Sequence, residues 1–254
     1  MGCPDGVGAA EAPVPPGRVF YASFDDGFDA IEGRGGKTAQ VEGKPRIVPG
    51  RAGQAVLVGD LEGSAGLSYP TEGNFSLERG TIALWVQPVN WSGDDRRNHV
   101  FFNAWPEEGG LFSLYKYTSA SWGLTFFLDP GDGPRGKLYC YQPVADWKPG
   151  EWHHVACAWS HREGMHLYVD GRLVKSALGI SMPRKRLKPT IRFGGVWQAN
   201  ESRTLLDEAM IFDRMLDAHE VVRLAGQPAE LPDAESPRDV PGVALAHAIL
   251  GQRV

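Results

Sequence analysis

The chain has 254 residues, and its 26 Lys and Arg against 31 Asp and Glu leave a formal net charge of −5. With 32 Gly, 19 Pro, 8 Trp, 7 Tyr and 11 Phe, the composition favours short strands and turns over long helices. A single all-β domain of this length is ordinary. The net charge argues against a nucleic-acid partner, and no apolar run reaches the roughly 18 to 20 residues that span a bilayer.

The two ends of the chain differ from its middle. Residues 1–17 are small and rich in Pro and Gly, which predicts a flexible leader without the apolar segment of a signal peptide. Within the leader, Cys3 fits either the remnant of a bacterial lipoprotein processing site or the ordinary start of a disordered segment. Residues 227–254 are Pro-rich and acidic before a short apolar stretch, and they predict an extension that docks on the domain or forms an oligomer. Residues 18–226 are left as the folded domain.

Short strand-like runs, separated by turn residues, fill this middle part. The predicted strands are 18–24, 55–58, 66–69, 80–89, 99–104, 111–117, 122–128, 137–142, 151–159, 165–169, 171–175, 190–194 and 204–212. In the fourth strand, Ile82, Leu84 and Val86 alternate with Ala83, Trp85 and Gln87, as expected for a sheet with two distinct faces. The pattern predicts an all-β, two-sheet antiparallel sandwich.

Two hairpins and one helix can be specified. Asp170-Gly171 lies between two apolar runs, which is a strong hairpin signal because Gly adopts positive φ. A second hairpin, centred near Lys148-Pro149, would place Cys140 opposite Cys157, as either a disulfide or two buried thiols. The helix is predicted at 217–224, with Asp217 as N-cap, Glu220 completing a capping box and Gly226 after its end.

Seven segments occur in an order that resembles a known family. They are FYASFDDG (20–27), PGRAGQAVLVGD (49–60), NFSLERGTIALWVQP (74–88), WKPGEWHHVACAWS (147–160), MHLYVDGRLVKSA (165–177), IRFGG (191–195) and LLDEAMIFDRMLDAHEVVRLAG (205–226). This order resembles the laminin G-like jelly roll of the concanavalin A-like lectin/glucanase superfamily. The resemblance implies two antiparallel sheets packed face to face, one of them concave. It leaves function open, because this fold hosts lectins, adhesion modules and glycosidases.

Glycosidases of this fold commonly carry two Glu and an Asp at alternate positions of one strand, so that the carboxylates flank a glycosidic bond. In this chain no Glu is followed two positions later by Asp. One enzymatic alternative remains, a polysaccharide lyase or atypical glycoside hydrolase at the concave sheet. Its candidate catalytic residues are Tyr115, Lys116, Tyr117 and His154, since Tyr and His can transfer protons.

Non-catalytic carbohydrate binding is the favoured hypothesis, because aromatic rings pack on sugar C–H faces and polar groups bind the hydroxyls. Trp91, Trp105, Trp122 and Trp197 lie in loop-like segments, whereas Trp85, Trp147, Trp152 and Trp159 lie in or beside strands and are expected in the core. The predicted ligand-binding residues are Asn103, Trp105, Tyr115, Tyr117, Trp122, Arg192 and Trp197. We expect a carbohydrate or glycoconjugate ligand and a location outside the cytoplasm, extracellular, periplasmic or at the cell surface.

The resemblance also implies a structural calcium site on the convex side, since several jelly rolls of this superfamily bind calcium there. The matching ligands are Asp25 or Asp26 with Gly27, together with Asp207 and an oxygen of the Gly59-Asp60 turn. The alternative is that these residues only make turns and strand-end hydrogen bonds. A basic run at 184–188 either contacts an anionic polysaccharide or is a solvated loop. A third hypothesis is a protein-interaction module that uses the concave sheet or the C-terminal extension.

Overall fold

The structure is a computed structural model, and it describes residues 14–117, 123–131, 137–178, 185–197 and 201–226. Sheet A contains β1 (Arg18–Ala22), β2 (Glu32–Gly33), β4 (Arg46–Pro49), β5 (Gln54–Asp60), β7 (Arg79–Pro88), β12 (His153–Ser160), β13 (Gly164–Val169), β14 (Arg172–Ala177) and β16 (Arg203–Phe212). Sheet B contains β3 (Gln40–Glu42), β6 (Ser64–Pro70), β8 (His99–Ala104), β9 (Leu111–Tyr117), β10 (Gly123–Asp129), β11 (Leu138–Pro143) and β15 (Thr190–Gly194). The predicted antiparallel sandwich is confirmed.

Every strand pairing within the described residues is antiparallel. Sheet B has the order β3-β6-β15-β8-β9-β10-β11, and sheet A has the order β4-β5-β16-β7-β12-β13-β14, with β1 paired to β16 and to β2. The two sheets are joined at one edge, where Gly59 of β5 pairs with Ala65 of β6. Neighbours in each sheet are therefore often distant in sequence.

Aromatic rings from both sheets fill the space between them. The ring of Phe112 in sheet B lies 4.7 Å from that of Trp159 in sheet A, and Phe20 lies 4.8 Å from Tyr69. Burying each such side chain contributes roughly 1.5 to 3 kcal/mol to folding. Strand β7 has a glycine at position 80, where a Cβ would lie 2.7 Å from the Trp159 ring. The Trp159 ring can therefore occupy its position only because residue 80 has no side chain.

The predicted Asp170-Gly171 hairpin and the C-terminal helix are confirmed. Val169 pairs with Arg172, and the two turn residues have φ of 49° and 78°. Helix α1 (Ala218–Leu224) has Asp217 as its N-cap, with both hydrogen bonds of the capping box present. Its buried residue Val221 packs on the side of sheet A that faces away from the sandwich core.

The second predicted hairpin is wrong. Strand β11 pairs with β10, whereas β12 pairs with β7 and β13, so the Lys148-Pro149 segment connects the two sheets. Cys140 and Cys157 therefore lie in different sheets, and both are free and buried. Local turn residues predicted a hairpin here, but six residues of β11 find their partners on β10.

Other differences lie at strand ends and chain ends. Strands β2, β3 and β4 were not predicted, because they are short and their residues are largely exposed and without apolar alternation. Most of the leader and the whole of 227–254, with the oligomer contact predicted there, lie outside the described residues. Within the described residues, no helix has the length and apolar character required to cross a membrane.

Candidate functional site

The side chains of sheet B that point away from the core form a continuous surface, called here the outer face. Register places one residue from each of six adjacent strands in a single transverse row, namely Ser68, Arg192, Asn103, Ser113, Phe127 and Tyr139. Tyr115 and Tyr117 point the same way, because successive residues of a strand alternate between faces. The row is polar at the β6 side and aromatic at the β11 side.

An exposed tryptophan marks one end of the outer face. The ring of Trp197, which follows β15, lies 4.6 Å from Tyr115 and 6.2 Å from Tyr117. Trp197 is 39% exposed although Tyr115 is buried, so the tyrosines support a ring that remains open to solvent. Burial raises the pKa of the Tyr115 hydroxyl above its usual range. Three of the predicted ligand-binding residues therefore lie together.

A second aromatic pair lies at the β11 side. Tyr139 is 51% exposed and stacks on Phe127 at 4.7 Å with an interplanar angle of 23°. Neither residue was among the predicted binding residues. Tyr139 and Cys140 are adjacent in the 137–142 strand, so their side chains point to opposite faces of the sheet. That pattern assigns Tyr139 to a face, but it does not identify a binding site.

Polar groups occupy the middle of the row. The Asn103 side-chain oxygen accepts a hydrogen bond of 2.6 Å from the Ser113 hydroxyl. Arg192 forms a 3.0 Å ion pair with Glu42, and Glu42 also accepts a 2.7 Å hydrogen bond from Ser68. Asn103 and Arg192 were predicted, whereas Glu42 was missed because its short, exposed strand has no sheet-like pattern. Tertiary pairing of β3 with β6 brings Glu42 to this face.

Trp105 lies at the other end of the outer face. It follows Asn103 by two positions, and its carbonyl accepts a 2.7 Å hydrogen bond from the Lys188 amide. From Tyr115 to the Trp105 level is about 13 Å along the strands, at roughly 3.3 Å per residue. Trp122, which was also predicted, lies outside the described residues. The described members of the predicted set thus extend along one face without forming a single tight cluster.

The proposed catalytic residues of the enzymatic alternative are not brought together. Lys116 is fully buried and points away from its neighbours Tyr115 and Tyr117, donating hydrogen bonds to Asp95. His154 lies in sheet A, where its ring contacts Trp85 at 5.2 Å. The two tyrosines are therefore on the outer face of sheet B, Lys116 is in the interior and His154 is in sheet A. This arrangement offers no shared proton-transfer site.

Lys116 belongs to a partly buried ionic cluster that it forms with His99 and with Asp95 and Arg97 of the 89–98 loop. Burial by itself would raise the pKa of Asp95, but hydrogen bonds from His99, Lys116 and Arg97 outweigh it and hold that pKa well below its usual range. Trp91 stacks on His99 at 3.9 Å and is 1% exposed. Trp91 is therefore a core residue, although its loop-like sequence had grouped it with the candidate ligand contacts.

Not all of the predicted calcium ligands converge. Both carboxylate oxygens of Asp207 accept backbone N–H groups, from Arg51, Ala52 and Glu208. Asp60 accepts from Glu201 and lies about 17 Å away along β16, at roughly 3.4 Å per residue. Among the described residues, no group of three or more His, Cys, Asp or Glu could hold a metal ion.

The other predicted members sit in the turn before β2. Asp26 is exposed there, and Gly27 has a φ of 123°. The adjacent Asp25 carboxylate accepts a 2.8 Å hydrogen bond from the backbone N–H of Gln54. Asp25 and Asp207 thus hold the same loop before β5 by hydrogen bonds, whereas Asp60 lies too far from Asp207 for both to bind one ion.

The basic run contributes to an open cleft beyond the Trp105 end of sheet B. The cleft has a volume of about 790 Å³, and its charged lining residues are Glu72, Glu78, Glu107, Lys185, Arg186 and Lys188. Arg186 lies 3.9 Å from Glu107, and its side chain is 88% exposed. Acidic and basic residues are mixed here, so the cleft is not a uniformly positive surface. Arg184 lies outside the described residues.

A family comparison agrees with this fold. Residues 61–222, more than half of the chain, match the model of a laminin G domain described as concanavalin A-like lectin/glucanases superfamily. The chain belongs to this superfamily. No curated protein matches the sequence of this superfamily member.

Solved structures with similar folds have low sequence identity to this superfamily member. Domain 4 of AbnA, a GH43 extracellular arabinanase from Geobacillus stearothermophilus in complex with arabinotriose, is 19% identical with a TM-score of 0.65, covering 82% of this chain and 98% of that domain. The receptor binding domain of botulinum neurotoxin mosaic serotype C/D is 14% identical with a TM-score of 0.67, covering 83% of this chain and 50% of that domain.

A third solved structure is from botulinum neurotoxin type C, a toxin whose cell entry depends on interaction with two ganglioside molecules. It is 13% identical to this chain, with a TM-score of 0.67. The comparison covers 83% of this chain and 51% of that one. The chain thus spans about half the length of the toxin domains. At these identities the likeness establishes the fold alone.

Proposed function

We propose that this protein is a non-catalytic carbohydrate-binding module that binds its ligand on the outer face of sheet B. The observation that carries the proposal is the exposed ring of Trp197, supported by Tyr115 and Tyr117 beside a row of polar side chains. Aromatic rings and flanking hydrogen-bonding groups are the two elements that sugar recognition requires.

The related structures add support from their own ligands. An arabinanase domain of this fold is in complex with arabinotriose, and a neurotoxin with this fold depends on gangliosides for cell entry. These sugars differ in chemistry, so they favour the ligand class without identifying the ligand. We further propose a location outside the cytoplasm, which cell fractionation with an antibody to the chain would test.

Binding to arabinotriose and to a panel of soluble polysaccharides, measured by calorimetry and affinity electrophoresis, tests the proposed function. We expect Trp197→Ala to weaken binding about tenfold or more, a loss of about 1.4 kcal/mol. Tyr139→Ala should weaken it less, because Tyr139 lies at the side of the face. The matched control is Leu173→Ala, which removes an exposed apolar side chain from sheet A.

Absence of binding across the panel would count against the proposed function. Binding that Trp197→Ala and Tyr139→Ala leave unchanged would place the site elsewhere, and the cleft beside Trp105 would then be the next surface to test. Thermal unfolding of each variant establishes whether a loss of binding reflects a loss of fold.

A further inference from the structure

The strands of sheet B carry as many acidic as basic side chains. Its strands carry four charged side chains, Glu42, Lys116, Asp129 and Arg192. Lys116 points inward to Asp95, and Asp129 forms a 3.1 Å ion pair with Lys137 beside β11. Among the residues that the structure describes on these strands, Arg192 is therefore the cation that a ligand on the middle of the outer face would meet.

Both terminal nitrogens of the Arg192 guanidinium have partners within the protein. One terminal nitrogen, Nη1, forms the 3.0 Å ion pair with Glu42, and Nη2 donates to the carbonyl and to the hydroxyl of Ser64, each at 3.0 Å. The remaining nitrogen, Nε, is buried without a hydrogen-bond partner in the described structure. A carboxylate needs two adjacent free N–H groups for bidentate binding, and this guanidinium offers no such pair.

Two glycines leave the space that the guanidinium occupies. A Cβ on Gly66 would lie 2.8 Å from Arg192 Nε, and a Cβ on Gly195 would lie 2.9 Å from its Cζ. The absence of side chains at these positions lets the guanidinium lie close to the backbone. The side chain of Glu42 is 46% exposed and that of Arg192 only 15%, so an approaching ligand meets the carboxylate first.

From this geometry we propose that Glu42 is a specificity-determining residue that restricts the outer face to neutral glycans and excludes uronic-acid polymers. The inference rests on the proposed function of this face. Two effects combine, since Glu42 neutralises and occupies Arg192 and also repels an incoming carboxylate. At the Trp105 end, Glu72, Glu78 and Glu107 accompany the cations of the cleft, and the net charge of −5 further disfavours polyanions.

Affinity electrophoresis at neutral pH with two sets of polysaccharides tests the proposal. The neutral set is linear arabinan, xylan, galactomannan and β-glucan, and the acidic set is polygalacturonate and alginate. We expect at least one neutral polymer to retard the wild-type chain, and neither acidic polymer to do so. Glu42→Gln should bind polygalacturonate at least tenfold more tightly than wild type, and about 0.5 M NaCl should abolish the gain by screening.

The matched control is Glu32→Gln, which makes the same charge change in a Glu–Arg pair on sheet A. We expect no gain of acidic-polymer binding in this control. Glu42→Asp keeps the negative charge and should leave the preference for neutral polymers in place. Thermal unfolding of each variant checks that the sandwich remains folded.

Outcomes for specificity and for the proposed function are separable. Tight wild-type binding to polygalacturonate, or the absence of any gain in folded Glu42→Gln, would overturn the specificity inference. An equal gain in Glu32→Gln would also overturn it, since net charge alone would explain the effect. If wild type binds no polymer of either set, the proposed function fails, while a gain in Glu42→Gln alone would still support the role of Glu42.

Discussion

Individual buried residues tie the stability of this protein to pH. Burial lowers the pKa of His99 and of His154 to about 4, although nearby carboxylates of Asp95 and Asp170 oppose the shift. A histidine with a lowered folded-state pKa binds fewer protons in the folded than in the unfolded chain between pH 4 and 6.5. Stability should therefore be full above pH 6.5 and decrease as pH falls towards 4.

The contribution of His154 can be isolated by substitution. We expect His154→Gln to reduce the stability difference between pH 7 and pH 4.5 by about 2 to 3 kcal/mol relative to wild type. Urea unfolding at the two pH values measures this difference. His219→Gln, at an exposed position of α1, is the control and should leave it unchanged. The same pH dependence in His154→Gln and wild type would contradict the prediction.

At the scale of elements, several contacts between distant segments place the loops. The loop before β5 is held by Asp207 of β16, whose carboxylate accepts backbone N–H groups from Arg51 and Ala52. Burial raises the pKa of Asp207, and hydrogen bonds from backbone N–H groups oppose that rise. The same carboxylate that the family resemblance assigned to calcium thus fixes the connection into sheet A.

Asp207→Asn should lower the free energy of unfolding by about 1 to 3 kcal/mol, because both carboxylate oxygens accept backbone N–H groups and an amide has only one acceptor oxygen. Urea unfolding with EDTA and again with calcium measures the loss. We expect the same loss in both conditions, and a much smaller one for Asp213→Asn, whose ion pair with Arg34 is exposed. Stabilisation of wild type by calcium that Asp207→Asn abolishes would instead support the predicted calcium site.

For the whole molecule, the packing of two sheets protects the thiols of the core. Burial raises the pKa of Cys140 to about 12 and raises that of Cys157 well above its usual range. Both thiols face the core from different sheets, and the Cys140 thiol donates to the Met165 carbonyl at 3.3 Å. Access to either thiol therefore requires the sandwich to open.

We expect the Cys3→Ser variant to show no reaction with a thiol reagent when folded at pH 8. Under denaturing, non-reducing conditions, both Cys140 and Cys157 should react. Counting the labelled thiols by mass spectrometry distinguishes the two states. Two thiols that stay unlabelled in denaturant until a reductant is added would show that they form the disulfide, contrary to the free thiols of the structure.

Local sequence patterns were sufficient for many elements of this fold. The strands 99–104, 111–117 and 190–194 were predicted with the ends that the structure has, and Asp170-Gly171 and Asp217 were assigned their correct turn and cap roles. These features depend on alternation, positive φ and capping, which involve residues close together in the chain. Tyr115, Tyr117, Asn103 and Arg192 could be assigned to a face for the same reason.

The sequence by itself thus determined an antiparallel sandwich and the alternation that divides each strand between core and surface. Only the tertiary structure decided which surfaces meet. It buried Trp91, placed Cys140 and Cys157 in different sheets rather than on adjacent strands, and paired Glu42 with Arg192. Strand partners in a sandwich are distant in sequence, and their pairing is set by the total burial and hydrogen bonding of the fold. Periodicity therefore assigns a side chain to a face, while the partners of that side chain depend on the packing of the entire molecule.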